Sequence, residues 1–396
     1  VITDPTAIFV FLACLLGAIF WFSGRPRLQP VFRVTPAVIY AYFVPALCTS
    51  LEITPASSPA YDWMVRYLLP ISLLLLMVTV DLRAVLRLGR KAILMMLAGS
   101  LGIIVGGPVA LALFGSFLPG DTWMGLAALS GSWIGGTPNM VAIKESVGTP
   151  DSLMGPIIVI DTLVAYSWMG ILLFLGSFQS RFDTWVGADT GEVESLDASL
   201  AEMEDQRRPV EVRDLSVILA LGFGGAVLSI WLGRQLPQLG DPTIISHTTW
   251  TVVIVTSLGL ALSFTPLRRL EAVGTSRFGY LALYLMLTAI GAQADLKKVV
   301  EVPLYLVLGA VWLGIHIATL FAAAKLLRAP LFFVATGSMA NVGGVVSAPV
   351  VASVYRKALA PVGVLMGVSG YLIGIYGGLL CAWLLSKVAS VLGFIS

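Results

Sequence analysis

Apolar residues along this chain follow neither a helical stripe nor a strand alternation. They fill whole stretches, near 6–23, 36–51, 63–80, 92–114, 122–147, 155–177, 214–233, 248–264, 279–293, 303–324, 331–354 and 361–386. About 20 consecutive apolar residues carry a helix across a bilayer. Every backbone polar group must be satisfied within the hydrocarbon, which leaves helices or closed barrels. Barrel strands alternate and are separated by turns, and that pattern is absent here. The chain therefore reads as an all-α polytopic membrane protein.

Two of the apolar stretches are interrupted. GSWIGGTPNM, Gly131 to Met140, holds three glycines, a proline, Ser132, Thr137 and Asn139. SMANVGGVVSAP, Ser338 to Pro349, holds Asn341, Gly343, Gly344 and Ser347. They fall at equivalent places in two similar halves. LLLLMVTVDLRAVLRLGRKAILMMLAG leads across one long helix to ALSGSWIGGTPNM, and LYLMLTAIGAQADLKKVVEVPLYLVLGA leads likewise to ATGSMANVGGVVSAP. Asp81-Leu82-Arg83 matches Asp295-Leu296-Lys297, and Gly131-Ser132 matches Gly337-Ser338. Duplicated halves with interrupted helices mark secondary transporters, whose site lies between the repeats. The organisation expected is a first membrane repeat over 1–178, an acidic, flexible, cytoplasmic linker over 179–213, and a second repeat over 214–396.

Charge sets the expected topology. If residues 122–147 and 331–354 each enter and leave on one side as re-entrant hairpins, 18 of the 24 basic residues fall inside, as cytoplasmic loops favour. Arg66, Arg234, Lys297, Lys298 and Lys387 remain outside, with Lys144 in a hairpin. Ten crossings, inverted halves and both termini outside follow; a broken helix that crosses in each half would give the same inversion. Tyr and Trp near segment ends, such as Trp63 and Trp123, fit interfacial anchoring.

Composition agrees: 58% of residues are hydrophobic and 12% charged, with a mean hydropathy of +0.93, whereas soluble domains carry about 25% charge. A net charge of +2 in scattered clusters gives no sign of nucleic-acid binding. Cys14, Cys48 and Cys381 are odd in number and far apart, which argues for small core residues over a disulfide or zinc set. The first segment lacks a basic leader and a small-residue cleavage site, and reads as a retained span.

The interruptions suggest chemistry. Gly135-Gly136 and Gly343-Gly344 permit a turn, and Pro138 removes an N–H and disfavours helix at Thr137. The half-helix ends so exposed offer carbonyl oxygens to cations and N–H groups to anions. Thr137, Asn139, Ser338 and Asn341 add oxygen ligands suited to an alkali cation. Ser132, Gly135, Gly136, Pro138, Gly343, Gly344 and Ser347 are the expected substrate-contacting residues. Asp161, followed by Thr162, lies inside an apolar span, where an ionisable side chain is costly and a functional candidate by default; it would bind a cation or carry a proton. The plainer readings are close helix packing for the glycines and a hydrogen-bonded structural aspartate. Lys144-Glu145 would line an aqueous approach or simply pair. His316, the one histidine within a span, reads as a packed neutral side chain rather than a proton relay. Asp81 and Asp295 mark where matching helices leave the membrane.

GGTPNMVAIKESVG and the apolar helix after it resemble the first crossover of bile acid:sodium symporters, and SMANVGGVVSAP resembles their second. Over its whole length the chain is similar to the YjcL-like integral membrane family, in the cation/proton antiporter and anion transporter superfamily. The resemblance implies a core and a scaffold domain, a bacterial inner membrane or an organelle membrane of bacterial origin, sodium or protons bound at the crossover, and movement of the core for alternating access. Thr137, Asn139 and Asn341 match the family's crossover residues. Thr336 and Ala340 stand where the family has an acidic residue and a glutamine, a gap Asp161 would fill.

The reading that results is a cation-coupled carrier of a small organic solute, anionic or zwitterionic, with sodium or protons as coupling ion and no other cofactor. Partners are that solute, the bilayer, and a second copy in a homodimer. Proton/cation antiport through Asp161 is the nearest rival. An intramembrane hydrolase using Ser130 or Ser132 with His316 is a more distant one, and no enzyme activity is expected.

Overall fold

A computed structural model describes residues 2–34, 37–80, 85, 88–189, 191, 193, 209–239, 246–293, 302–355 and 359–394. Asp81, Arg83, Arg87, Asp295, Lys297, Lys298, Arg356, Lys357 and the linker arginines Arg207 and Arg208 lie outside them, so the matched helix-end aspartates and part of the charge argument fall there.

Among the described residues the chain is all-helical. The helices are α1 Pro5–Ser23, α2 Gln29–Val34, α3 Ala37–Ser50, α4 Pro59–Val78, α5 Arg90–Phe114, α6 Thr122–Gly135, α7 Thr137–Val147, α8 Asp151–Leu175, α9 Gln179–Val186, α10 Val212–Gln235, α11 His247–Ser263, α12 Thr275–Ala292, α13 Val302–Leu327, α14 Leu331–Val342, α15 Gly344–Tyr355 and α16 Ala360–Val391. Seven are long and apolar enough to cross a membrane, or eight if α11 is joined to the 3-10 turn Pro266–Val273, from which it is bent by 92°. Ends are set by familiar local chemistry. Asp4 accepts from the Ala7 N–H at 2.7 Å and Pro5 opens α1. Ser246 and Thr249 cap α11 reciprocally.

The helices pack as two groups. One gathers α1, α3, α4, α10, α11 and α12; the other gathers α5 to α8 with α13 to α16. They meet where α11 touches α7 and α16, and where α4 touches α7. Glycine permits the closest crossings within the second group. A Cβ on Gly106 or Gly107 of α5 would meet the Trp312 ring of α13 at 2.6 and 2.7 Å.

The two interrupted segments fold back on themselves. Thr149, just past α7, donates to the carbonyl of Met124 near the start of α6 (3.0 Å), and Gly131 lies against the Asn139 carbonyl. The pair α6–α7 is thus a hairpin whose open end sits beside Asp151, the first residue of α8. In the other half, the Leu331 N–H at the start of α14 bonds Asp183 at 2.8 Å. Tyr355 at the end of α15 donates to the Leu172 carbonyl at 2.8 Å. Both ends of α14–α15 therefore lie near the C-terminal end of α8.

Three expectations change. The polar stretch after α8 is not wholly a connector, because α9 docks through Asp183 and Lys91 pairs with Asp189 at 2.8 Å. Trp123 is buried, inside the open end of the first hairpin rather than at an interface, whereas Trp63 is exposed. Cys381 is buried but Cys14 is exposed on α1. In lipid the outer face of a helix is as apolar as its packed face, so a small apolar residue there carries no signal of burial.

Candidate functional site

The tips of the two hairpins meet. Gly136, between α6 and α7, has φ +80 and ψ 179, and Gly344, opening α15, has φ +64; both conformations suit glycine. A Cβ built on Gly344 would lie 4.0 Å from the Cα of Gly136. Between the tips and α8 is a cavity of about 230 Å³. Ser132, Gly136, Thr137 and Pro138 line it from the first hairpin, and Gly343, Gly344 and Ser347 from the second. Asp161 and Thr162 reach it from α8. Asp161 is the eleventh of the 25 residues of α8, so the carboxylate lies near the middle of that helix. The Ser132 hydroxyl is 3.0 Å from each of its oxygens.

Four of the anticipated residues sit behind this wall. Gly135 and Asn139 face α16: the Asn139 amide donates to the carbonyls of Gly135 (3.0 Å) and Gly370 (3.5 Å), and its Oδ1 has no hydrogen-bond partner. Asn341 is fully buried; its amide is placed to donate to the Gly337 and Met96 carbonyls and to accept from Ser100 at 2.8 Å. Ser338 is also fully buried, 2.8 Å from both Trp168 Nε1 and His316 Nε2. His316 Nδ1 lies 2.9 Å from the Gly99 carbonyl. A carbonyl only accepts, so Nδ1 carries the proton and Nε2 accepts from Ser338. His316 is a neutral tie joining α13, α5 and α14. Its ring nitrogens serve neither Ser130, which donates to the Ala127 carbonyl, nor Ser132.

The sequence reading missed the aromatic part of the wall. Tyr166 of α8, Tyr280 and Tyr284 of α12, and Tyr371 of α16 all line the cavity. The hydroxyls of Tyr280 and Tyr371 bond each other across the seam between the two helix groups. Tyrosine at regular helical spacing was a usable signal on α12, where Tyr280 and Tyr284 are four apart and share a face.

A larger cavity, about 510 Å³, lies at the open end of the first hairpin. Lys144 and Glu145 line it, together with Asp151, Asp62, Arg66 and Arg234. Lys144 is buried and bridges two carboxylates, with Nζ 2.6 Å from Glu145 and 2.6 Å from Asp151. The anticipated pairing of Lys144 with Glu145 is present, and both residues line this cavity. No cluster of His, Cys, Asp and Glu suited to a metal ion occurs among the described residues.

The sequence is 26% identical over 373 residues to the "Uncharacterized membrane protein YjcL" of Bacillus subtilis (strain 168), covering 90% of this chain and 92% of that protein. The family described as "Protein of unknown function (DUF819)" matches residues 10–388. With that match extending over nearly its whole length, the chain belongs to the DUF819 family of membrane proteins.

Proposed function

We propose that the protein is a secondary active transporter that moves a small organic solute by alternating access, coupled to sodium or protons. One observation carries the reading: two broken hairpins, opening toward opposite ends of α8, meet tip to tip beside a carboxylate halfway along that helix. Backbone that leaves helical geometry at membrane depth is tolerated where it lines a cavity or is buried in protein, and opposed half-helices at a midplane site are how carriers build one. On this reading the hairpins are re-entrant elements of inverted repeats.

Asp161 would hold the positive charge that the site binds, whether the coupling ion or a charged group of the solute, with the Thr137, Thr162 and Ser347 hydroxyls lining the same cavity. The cavity lies at the seam between the two helix groups, and sliding of the α5–α8 and α13–α16 group along the other would present it to each side in turn. The 510 Å³ cavity would be the polar approach from the open end of the first hairpin.

Reconstitution into liposomes tests this. Purified protein should catalyse uptake of a labelled solute drawn from a metabolite pool, driven by a sodium or pH gradient, and Asp161→Asn should abolish it while the protein still elutes as a folded, monodisperse species. Undiminished gradient-driven uptake in Asp161→Asn would remove the site. Proton/cation antiport, in which Asp161 exchanges the two ions and no organic solute moves, is favoured instead if pH-dependent sodium flux proceeds in liposomes without any solute.

A further inference from the structure

The wall of the smaller cavity is chemically one-sided. Among the described residues, Asp161 is its single charged one, and no Lys, Arg or His lines it. Its other polar side chains are the hydroxyls of Ser132, Thr137, Thr162 and Ser347 and of the four tyrosines. The rings of Tyr280 and Tyr284 stack at 5.9 Å with 23° between their planes. Tyr166 lines the same cavity from α8, four residues after Thr162 and on the same face of the helix as it.

We propose that the transported solute carries an ammonium group, protonated or quaternary, which binds between Asp161 and the tyrosine rings. This rests on the carrier reading and names the substrate class for the same site. An ammonium is attracted by a buried carboxylate and by aromatic π-faces together. A purely anionic solute would meet Asp161 with no side-chain cation among the described lining residues to offset it. An alkali ion is satisfied by a few oxygens at short range and has no use for about 230 Å³ of space walled by four phenol rings. The N-termini of α7 and α15 border the same space, and their N–H groups suit the carboxylate of a zwitterion. The class thus includes amino acid and betaine-like solutes as well as simple amines.

The probe is tetramethylammonium chloride, compared with sodium chloride and sodium acetate at equal ionic strength, read as the apparent melting temperature of the purified full chain. A ligand selective for the native state raises that temperature. Tetramethylammonium should raise it above the sodium chloride value, and acetate should not. Asp161→Asn should remove the gain. Tyr284→Phe, which keeps the ring, should retain it, whereas Tyr284→Leu should reduce it, a contrast that holds even if Asp161→Asn fails to fold. No gain with tetramethylammonium, an equal gain in Asp161→Asn or in Tyr284→Leu, or a gain with acetate alone would overturn the proposal. The two ideas fail separately. Binding of tetramethylammonium without solute exchange in liposomes sinks the carrier and leaves the ammonium site. Asp161-dependent exchange of an organic acid, with tetramethylammonium neither binding nor inhibiting, does the reverse.

Discussion

The two hairpins look alike in sequence but spend their polar residues differently. Ser132 and Ser338 occupy matched positions. Ser132 points to Asp161 on the cavity wall, whereas Ser338 is enclosed between Trp168 and His316. Asn139 keeps an oxygen with no hydrogen-bond partner, while Asn341 has partners for both ends of its amide. The first hairpin ends in the Lys144–Glu145–Asp151 cluster, and α15 is free of charge. The polar groups of the second hairpin are thus tied to α5 and α13, while the first hairpin turns its polarity toward the cavity and toward its own open end.

The strongest way to break that asymmetry is Asp161→Asn, which should take solute flux to background because the carboxylate has no counterpart in the second half; unaltered flux would mean the two halves contribute alike. Next come the matched serines. Ser338→Ala leaves the buried Trp168 Nε1 without an acceptor and His316 Nε2 without a donor, and should cost about 1–3 kcal/mol of stability with little change in the solute concentration at half-maximal rate. Ser132→Ala should do the opposite, shifting the dependence on coupling ion with little change in melting temperature. Measuring both quantities on both variants decides the matter, and similar profiles would argue against distinct roles. Gly374→Ala places a methyl against the Asn139 amide, and overpacking of this sort costs about 1–3 kcal/mol, seen as a lowered thermal midpoint. Smallest is Gly314→Ala on α13, where a Cβ meets nothing within 4 Å. It should be neutral or stabilise by up to about 1 kcal/mol, which checks that glycine sensitivity follows contact rather than position in a helix.

Much of the site was legible because breaking a helix in lipid requires conspicuous residues. Gly135-Gly136, Pro138 and Gly343-Gly344 stand out against their apolar surroundings, and a lone Asp161 stands out more. What stayed hidden was direction. Asn139, Ser338 and Asn341 have the right chemistry for ligands, yet only tertiary packing decides that they face α16, α13 and α5 instead of the cavity. The tyrosines were hidden for a related reason: their rings are ordinary in an apolar helix, and four of them converge only because α8, α12 and α16 do. Trp123 misled similarly, since nearness to a segment end says nothing about whether that end is covered.

The longest helix, α16, has one consequence for movement. Its Gly363 and Gly367 lie against the α15 backbone, while Gly370, Gly374 and Gly378 lie against α6 and α7. Both hairpins are therefore keyed to a single rod at near-contact distance, one above the other. Prising the tips apart would strip backbone from backbone along its length, so the hairpin side of the pocket should keep its shape and be carried bodily past the α12 wall, like a notch cut in a sliding bolt.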